Sequence, residues 1–216
     1  MTIFSAAMLV KCSAKQLKFY HNKNLEKGKD LTFPPEGSFV KNTEAIQAGA
    51  DFQAKNSISD YIEMQGVFSL KSHPLVADIY FCHDEIRIRN KNFLDFIEYK
   101  STNYEVQDSY FRSSLIQTAL YQELTNRVNF YKTASFIERD KHVLNIKQYD
   151  KRRSILHFGD NRFAVRVKGN KKILGFYVMK AKSILQGWEH AEEFDYRYKG
   201  KEWDLLRQYI TYRKVR

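Results

Sequence analysis

Hydrophobic and polar positions follow a helical spacing near the start of the chain. Over 5–20 the apolar residues Met8, Leu9, Leu17 and Phe19 have lysines between them, which predicts a short basic helix. Glycines and prolines then predict a loop over 22–39. A second helix is predicted from Thr43, a candidate N-cap, to about Asn56.

The pattern changes at residue 61, where short runs rich in Ile, Val, Phe and Tyr alternate with turn residues. These runs predict consecutive, largely antiparallel strands. The predicted strands cover 61–70, 75–82, 85–89 and 93–100, with turns at 72–74, His83-Asp84 and 90–92. Helical spacing returns over 109–131.

The final third combines further strand-like runs with aromatic-rich helical segments. The predicted strands are 142–149, 154–158, 162–168 and 173–179, with a hairpin turn at Gly169-Asn170. Two helices are predicted around 181–196 and 201–213.

This order of elements predicts an α/β fold with a central mixed β-sheet flanked by helices. A chain of 216 residues can bury the core of one domain with an appendage. We therefore expect a single domain over 1–216. Its core would lie at about 43–131, and additional C-terminal strands and helices at about 140–216.

The charge balance favours a polyanionic partner. Lys and Arg number 36 against 25 Asp and Glu, which gives a formal net charge of +11. Such a surplus is typical of proteins that bind nucleic acid, although a basic, soluble surface without a ligand explains it equally well. The cationic candidates cluster in the C-terminal strands: Lys147, Lys151, Arg152, Arg153, Arg162, Arg166, Lys168, Lys171 and Lys172, followed by the basic aromatic end 209–216.

The expected compartment follows from cysteines and hydropathy. Cys12 and Cys82 can form neither a disulfide framework nor a four-thiolate metal site, so we expect a reduced, intracellular protein. No stretch approaches the roughly 20 apolar residues that cross a bilayer, so we expect no membrane association.

The candidate chemistry centres on the segment 93–100. Glu98 and Lys100 share one strand face with Leu94 and Phe96, because side chains alternate along a strand. Strand pairing is expected to bring Asp78 next to Glu98. Two carboxylates and an ammonium group on an otherwise apolar face are costly, and a divalent cation would offset the carboxylate repulsion. The alternative is an ordinary surface salt bridge.

These residues resemble a known motif. Asp78, an interval of about twenty residues, and Glu98-Tyr99-Lys100 are similar to the core motif of the PD-(D/E)XK nuclease superfamily. The resemblance implies a restriction-endonuclease-like core and a Mg²⁺ or Mn²⁺ ion. It implies that Asp78, Glu98 and the Tyr99 carbonyl bind the metal, and that Lys100 orients the attacking water.

Two further features are similar to the RecB-like and Cas4-like exonuclease branch. Gln117 and Tyr121 match its Gln-x-x-x-Tyr signature and imply a pair that lines the DNA path, although an ordinary amphipathic pair has the same spacing. Gln53, four residues after Gly49, stands where the branch has a metal-binding histidine. Its amide oxygen is a weaker ligand.

The N-terminal segment 9–20 resembles the cysteine-containing first helix of Cas4-like proteins. Those proteins bind an iron–sulfur cluster through one early and three late cysteines. No cysteine follows Cys82, so we expect no iron–sulfur cluster.

Other carboxylates are expected to be solvated. Glu44 and Glu63 are spare candidate ligands, and Asp84 and Glu85 are assigned to a turn. The leading hypothesis is a Mg²⁺- or Mn²⁺-dependent deoxyribonuclease with exonuclease-like action. One alternative is a catalytically weak or inactive DNA-binding or assembly protein that retains the fold. A third is a small-molecule enzyme or scaffold on an unrelated α/β fold.

As a compact sequence rich in lysine and asparagine, the chain resembles nucleases of viruses and mobile elements. The resemblance implies a cytoplasmic protein of a host cell whose partner is DNA. The sequence leaves open a homodimer, the polarity of cleavage, and the choice between single- and double-stranded substrates.

Overall fold

A mixed β-sheet organises the chain. The computed structural model describes residues 1–35, 43–59, 61–72, 75–102, 106, 108–126, 130–132, 143–144 and 146–216. The strands are β1 (Thr2–Ser5), β2 (Ile62–Ser72), β3 (Leu75–Asn90), β4 (Phe93–Lys100), β5 (Phe130–Lys132), β6 (Val143–Leu144), β7 (Lys151–Phe158), β8 (Asn161–Val167) and β9 (Ile210–Val215). The helices are α1 (Ala6–Lys11), α2 (Ala14–Leu25), α3 (Thr43–Asn56), α4 (Ser109–Thr125), α5 (Lys172–Gln186), α6 (Trp188–Tyr198) and α7 (Glu202–Leu206).

Within the described residues the strand order is β6-β5-β2-β3-β4-β7-β8-β9, and β1 pairs with β3 outside this path. The β1–β3 and β4–β7 pairs are parallel, whereas the other pairs are antiparallel. The prediction of an α/β fold with a mixed sheet flanked by helices is confirmed.

The long strand β3 changes partner along one edge. Its stretch from Leu75 to Glu85 pairs with β2 on one side. On the other side, β1 pairs with the segment 77–80 and β4 pairs with 85–90. Because β1 is parallel to β3 and β4 is antiparallel to it, the carboxyl ends of β1 and β4 point toward the same short interval of β3. That interval, 81–84, carries the candidate site.

Helices cover the two faces of the sheet unequally. Helix α4 is buried along most of its length and packs against β7, β8, α1 and α5. On the opposite face, Phe52 of α3 packs against a small cluster of Ile97, Tyr99 and Ile155. The main core extends from Phe4 in β1 to Ile210 in β9, so both terminal segments share one hydrophobic core with α4.

The N-terminal segment differs from its prediction. Residues 5–20 do not form one helix. Strand β1 precedes α1, and Cys12 and Ser13 separate α1 from α2. The Ser13 side chain caps α2 by accepting a hydrogen bond of 3.1 Å from the backbone N–H of Gln16. Helix α2 also extends to Leu25, into the predicted loop over 22–39. Residues 36–39 of that loop lie outside the described residues.

The predicted turn at His83-Asp84 is wrong, because β3 continues through it to a turn at Lys91-Asn92. In that turn, the Asn90 side chain accepts a hydrogen bond of 3.0 Å from the backbone N–H of Asn92. The local turn preference of His83-Asp84 is therefore outweighed by pairing in the long β2–β3 ladder.

The C-terminal third contains the largest differences. The predicted strand 173–179 belongs to helix α5, whose buried Ile173, Leu174, Tyr177 and Ala181 follow helical spacing. Gly169-Asn170 accordingly leads into this helix and forms no hairpin. Residues 210–213 belong to strand β9, because pairing with β8 outweighs their local helical pattern. No helix among the described residues is long and apolar enough to cross a membrane.

Candidate active site

Asp84 and Glu98 lie side by side at the end of the β3–β4 ladder. The register pairs Glu85 with Ile97, so its continuation by one residue sets Asp84 opposite Glu98. One oxygen of Asp84, Oδ2, accepts a hydrogen bond of 2.6 Å from the backbone N–H of Tyr99. The aspartate is therefore attached directly to the Glu98-Tyr99-Lys100 segment.

Asp78 lies elsewhere on β3, contrary to the prediction that it pairs with Glu98. Its register partners are Ile3 in β1 and Ser69 in β2. Six residues of strand separate it from Asp84, a distance of roughly 20 Å. Regular counting back from the turn at 91–92 would pair Glu98 with Glu85, and the bulge between Ile88 and Asn90 shifts the partner of Glu98 to Asp84.

Glu98 is buried, and both of its polar side-chain contacts use the same oxygen. Its Oε1 accepts a hydrogen bond of 2.6 Å from Gln117 Nε2 and an ion-pair contact from Lys100 Nζ. The other oxygen, Oε2, is buried and has no hydrogen-bond partner among the described residues. Gln117 Nε2 also donates to the Tyr121 hydroxyl at 3.2 Å. The predicted pair on α4 is thus in contact with the predicted glutamate on β4.

The ionisable groups of the site perturb one another. Burial, together with the charge of Glu98, raises the pKa of Asp84 to about 7. Burial opposes the charged form of Lys100, but Glu98 and Asp84 outweigh it and hold the pKa of Lys100 above its ordinary value. Burial also raises the pKa of Tyr121, and Glu98 and Asp84 act in the same direction. Lys100 and Tyr121 are therefore both protonated at neutral pH.

Gln53 reaches the site from the opposite face of the sheet. Its Nε2 donates a hydrogen bond of 3.2 Å to the backbone carbonyl of Asp84. The end of the same helix is fixed to the sheet, because the Tyr99 hydroxyl donates to the backbone carbonyl of Asn56 at 3.1 Å and to the buried carboxylate of Glu85.

Glu85 was assigned from the sequence to a solvated turn, and that assignment is wrong. Its side chain is fully buried and binds Arg87 as well as the Tyr99 hydroxyl. These contacts compensate its charge, so Glu85 supports the sheet beside the site and faces away from the Asp84–Glu98 pair.

Lys11 is a site residue that the sequence motif does not include. It ends α1, which begins directly after β1 at the interval where β3 changes partner. Burial and the positive charge of Lys100 lower the pKa of Lys11, while Glu98 and Asp84 act against that shift. Lys11 is nonetheless exposed, so an incoming ligand can reach its ammonium group. A lone lysine in a basic helix gives no sequence signal of this placement.

Glu63 lies across the β2–β3 ladder from Asp84. The ladder pairs Met64 with His83, so the preceding residue of β2 stands opposite Asp84. The charge of Glu63 contributes to the raised pKa of Asp84. Glu63 has a φ of 52°, a left-handed conformation that is unfavourable for a residue with a Cβ atom. Such strain is found preferentially at functional sites.

The carboxylate pair suits a hard divalent cation. Asp84 and Glu98 repel each other, and the buried Glu98 Oε2 has no hydrogen bond from the described residues. No group of three or more His, Cys, Asp or Glu side chains positioned for a metal is present in the described part of the chain. Mg²⁺ commonly uses one or two carboxylates with water and substrate phosphate, so two carboxylates fit it.

The predicted cationic cluster lies mainly at the other end of the sheet. Because β4 and β7 are parallel, Lys151 lies beside Phe93, whereas Phe158 lies beside Lys100. Arg152 and Arg153 therefore lie with Lys151, away from the carboxylates. The side chain of Lys147 is outside the described residues, and Glu44 is exposed.

Comparisons with known proteins provide no functional assignment. No protein-family model and no curated protein matches the chain. Among solved structures, the chain is similar to the crystal structure of SSO0001, with a TM-score of 0.42 and 12% sequence identity. The match covers 86% of this chain and 76% of that chain. A likeness of this extent carries no argument about function.

Proposed function

We propose that this protein is a metal-dependent nuclease that hydrolyses phosphodiester bonds of DNA, in the manner of an exonuclease. The observation that carries the proposal is the convergence of Asp84, Glu98 and Lys100 at one end of the β3–β4 ladder. Asp84 then takes the position in the PD-(D/E)XK motif that was expected for Asp78. The net charge of +11 supports a polyanionic substrate.

The two glutamines of the resemblance support the same proposal. Gln117 donates to Glu98, and Gln53 donates to the backbone carbonyl of Asp84, so each contacts one member of the carboxylate pair. Gln117 thus orients the carboxylate of Glu98, and Gln53 fixes the backbone of Asp84 from the opposite face of the sheet.

The residues that would hold the metal are Asp84 and Glu98, with the backbone carbonyl of Tyr99 as a further ligand, while Gln53 supports Asp84 through its backbone carbonyl. When bound, Mg²⁺ or Mn²⁺ polarises the phosphodiester and lowers the pKa of the attacking water. Gln117 and Lys100 hold Glu98 through Oε1, which leaves Oε2 for the cation. Gln117 is in this respect a positioning residue, because it acts through the glutamate.

Lys100 acts as a charged hydrogen-bond donor. Because its pKa lies above the ordinary value, it is an ammonium group at neutral pH and does not serve as the general base. It orients the attacking water and stabilises the negative charge that develops on the phosphate. Lys11 adds a second, exposed cation at the same site and binds a phosphate oxygen of the substrate.

The direct test is DNA cleavage by the purified protein. Linear and circular DNA, single- and double-stranded, is incubated with Mg²⁺, Mn²⁺ or EDTA. The wild type is compared with Lys100→Ala and with Lys91→Ala, an exposed lysine of the β3–β4 turn. We expect metal-dependent cleavage that Lys100→Ala loses and Lys91→Ala retains. Cleavage of linear DNA alone would assign exonuclease activity.

Binding without cleavage is the contrary result. If wild type and Lys100→Ala both bind DNA equally and neither cuts it in Mg²⁺ or Mn²⁺, the catalytic proposal fails. The fold would then serve as a DNA-binding module.

A further inference from the structure

A basic cleft lies at the end of the sheet distant from the carboxylates. Its volume is about 750 Å³, and it is formed where β7, β8 and β9 approach the start of β4. The cations that line it are Lys151, Arg152, Arg153, Arg166 and Arg213. Asp150 is the acidic residue in the described lining, so positive charge predominates there.

Two of these arginines are held in place by neighbouring groups. Arg153 makes two hydrogen bonds of 2.8 Å to the buried carboxylate of Asp95, and its guanidinium lies 5.5 Å from the centre of the Phe93 ring. Arg152 donates to the side chain of Asn126 at 2.8 Å. Fixed guanidinium groups bind an anion with less loss of side-chain entropy than mobile ones.

The exposed part of the cleft presents two cations on one face of the sheet. Arg166 and Arg213 are exposed, and the β8–β9 register projects both side chains to the same face. Tyr212 projects to the other face, where its ring packs edge-on against Phe111 and Phe163. Two exposed guanidinium groups on one face are suited to contacts with neighbouring phosphates of a nucleic-acid backbone.

The cleft is separate from the candidate active site. None of the described lining residues is one of the site residues Asp84, Glu98 or Lys100. Along β4, Phe93 in the cleft and Glu98 in the site are five residues apart, or about 17 Å. This is the length of about five nucleotides in a B-form strand.

We propose that this cleft is a second DNA-binding surface, which holds the phosphate backbone through Arg166 and Arg213. The identity of DNA as the partner rests on the proposed function. The positive charge of the cleft is independent of it. Contacts to phosphates make binding sequence-independent and salt-dependent, because each contact releases counterions.

The test measures binding without catalysis. Fluorescence anisotropy with a labelled single strand of about 20 nucleotides is recorded in EDTA, using Glu98→Gln as the parent. The paired variant Arg166→Ala/Arg213→Ala is compared with Arg197→Ala/Arg207→Ala, which removes two exposed arginines outside the cleft. We expect the first pair to weaken binding about tenfold or more and to reduce the salt-dependence slope by about two, and the control pair to do so far less.

Two results would indicate general charge attraction or a small-anion site in place of this surface. Equal losses in both arginine pairs, or displacement of DNA by inorganic phosphate at low millimolar concentration, would overturn the proposal. Arg166→Gln/Arg213→Gln must reproduce the loss, and equal thermal unfolding of all variants excludes misfolding as its cause.

The outcomes also separate the two proposals. Loss of binding in the cleft variants, together with no DNA cutting by the wild type, would refute the nuclease and leave the cleft assignment intact. Metal-dependent cutting by the wild type, together with unchanged DNA binding in the cleft variants, would refute the cleft alone.

Discussion

The backbone N–H of Tyr99 donates a hydrogen bond of 2.6 Å to the side chain of Asp84. This contact fixes an aspartate of β3 to the residue between Glu98 and Lys100, and so assembles the acidic pair from two strands. It also leaves Asp78 at the other half of β3, beside β1 and β2. The aspartate of the proposed active site is therefore the first residue to test.

We predict that Asp84→Asn reduces metal-dependent cleavage about 100-fold or more, because it removes one of the two carboxylates available to the cation. Asp78→Asn, a matched change on the same strand, should retain cleavage within a few-fold. Initial rates in Mn²⁺ and Mg²⁺ provide the measurement. If Asp84→Asn retained activity and Asp78→Asn lost it, Asp78 would be the aspartate of the active site, as the sequence motif predicts.

Metal addition should stabilise the wild type. A cation that binds only the native protein raises stability by RT ln(1 + [L]/Kd), or about 2.7 kcal/mol at a concentration of about 100 Kd. We expect Mn²⁺ to raise Tm relative to EDTA in the wild type, and to leave Asp84→Asn and Glu98→Gln nearly unchanged. Differential scanning fluorimetry measures these shifts. Equal stabilisation of all three proteins would place the bound ion elsewhere.

Lys11 should contribute to substrate binding. Lys11→Ala removes an exposed cation next to Lys100, so we expect kcat/KM for DNA cleavage to fall about 10- to 100-fold, with an unchanged fold. Lys27→Ala removes an exposed charge after α2 and serves as the control. Steady-state kinetics at several salt concentrations separate a local effect from loss of net charge. Indistinguishable values for the two variants would remove Lys11 from the site.

Lys180 supports the end of α1, and thereby the position of Lys11. Its buried Nζ donates hydrogen bonds to the backbone carbonyls of Leu9 at 2.8 Å and Cys12 at 2.5 Å. Lys180→Met removes the donor of both bonds. We expect a loss of about 2–4 kcal/mol in the free energy of unfolding near neutral pH, measured by urea denaturation.

The same lysine predicts a pH dependence. Burial lowers the pKa of Lys180 from 10.5 to about 8, whereas a stabilising ion pair would raise it. Between these values the unfolded chain retains a proton that the native protein has released, so this group makes stability rise with pH. The difference in stability between wild type and Lys180→Met should therefore increase from about pH 8 toward the ordinary lysine pKa, by up to about 3 kcal/mol. A constant or decreasing difference contradicts the assignment.

Backbone strain at Glu63 can be separated from its charge. Glycine adopts a positive φ without the steric cost of a Cβ atom, so Glu63→Gly is expected to stabilise the protein by about 1 kcal/mol. Glu63→Ala keeps the strain and should not stabilise it. Both variants lose a carboxylate near Asp84, so any shared change in metal dependence reports on the charge. Urea denaturation provides the comparison, and equal stability of the two variants would argue against strain at this position.

Much of the architecture is contained in local pattern. Residues 43–56 form the predicted helix, because their helical spacing agrees with their tertiary surroundings. Residues 93–100 form the predicted strand, because their run of apolar, β-branched and aromatic residues agrees with a place in the sheet. Segments where local preference and packing disagree were predicted wrongly. Residues 173–179 are rich in aromatic and branched side chains but form part of α5, since their buried positions follow a helical period.

Local spacing is sufficient to identify the candidate site residues on β4 and α4. The interval between Glu98 and Lys100 places both on one strand face, and the interval from Gln117 to Tyr121 is one helical turn. Which carboxylate accompanies Glu98 depends instead on the three-dimensional fold, as does the presence of residues from α1 and α3 at the site. Strand register and the change of partner along β3 arise from contacts between segments distant in sequence, and the bulge between Ile88 and Asn90 decides which carboxylate of β3 lies opposite Glu98.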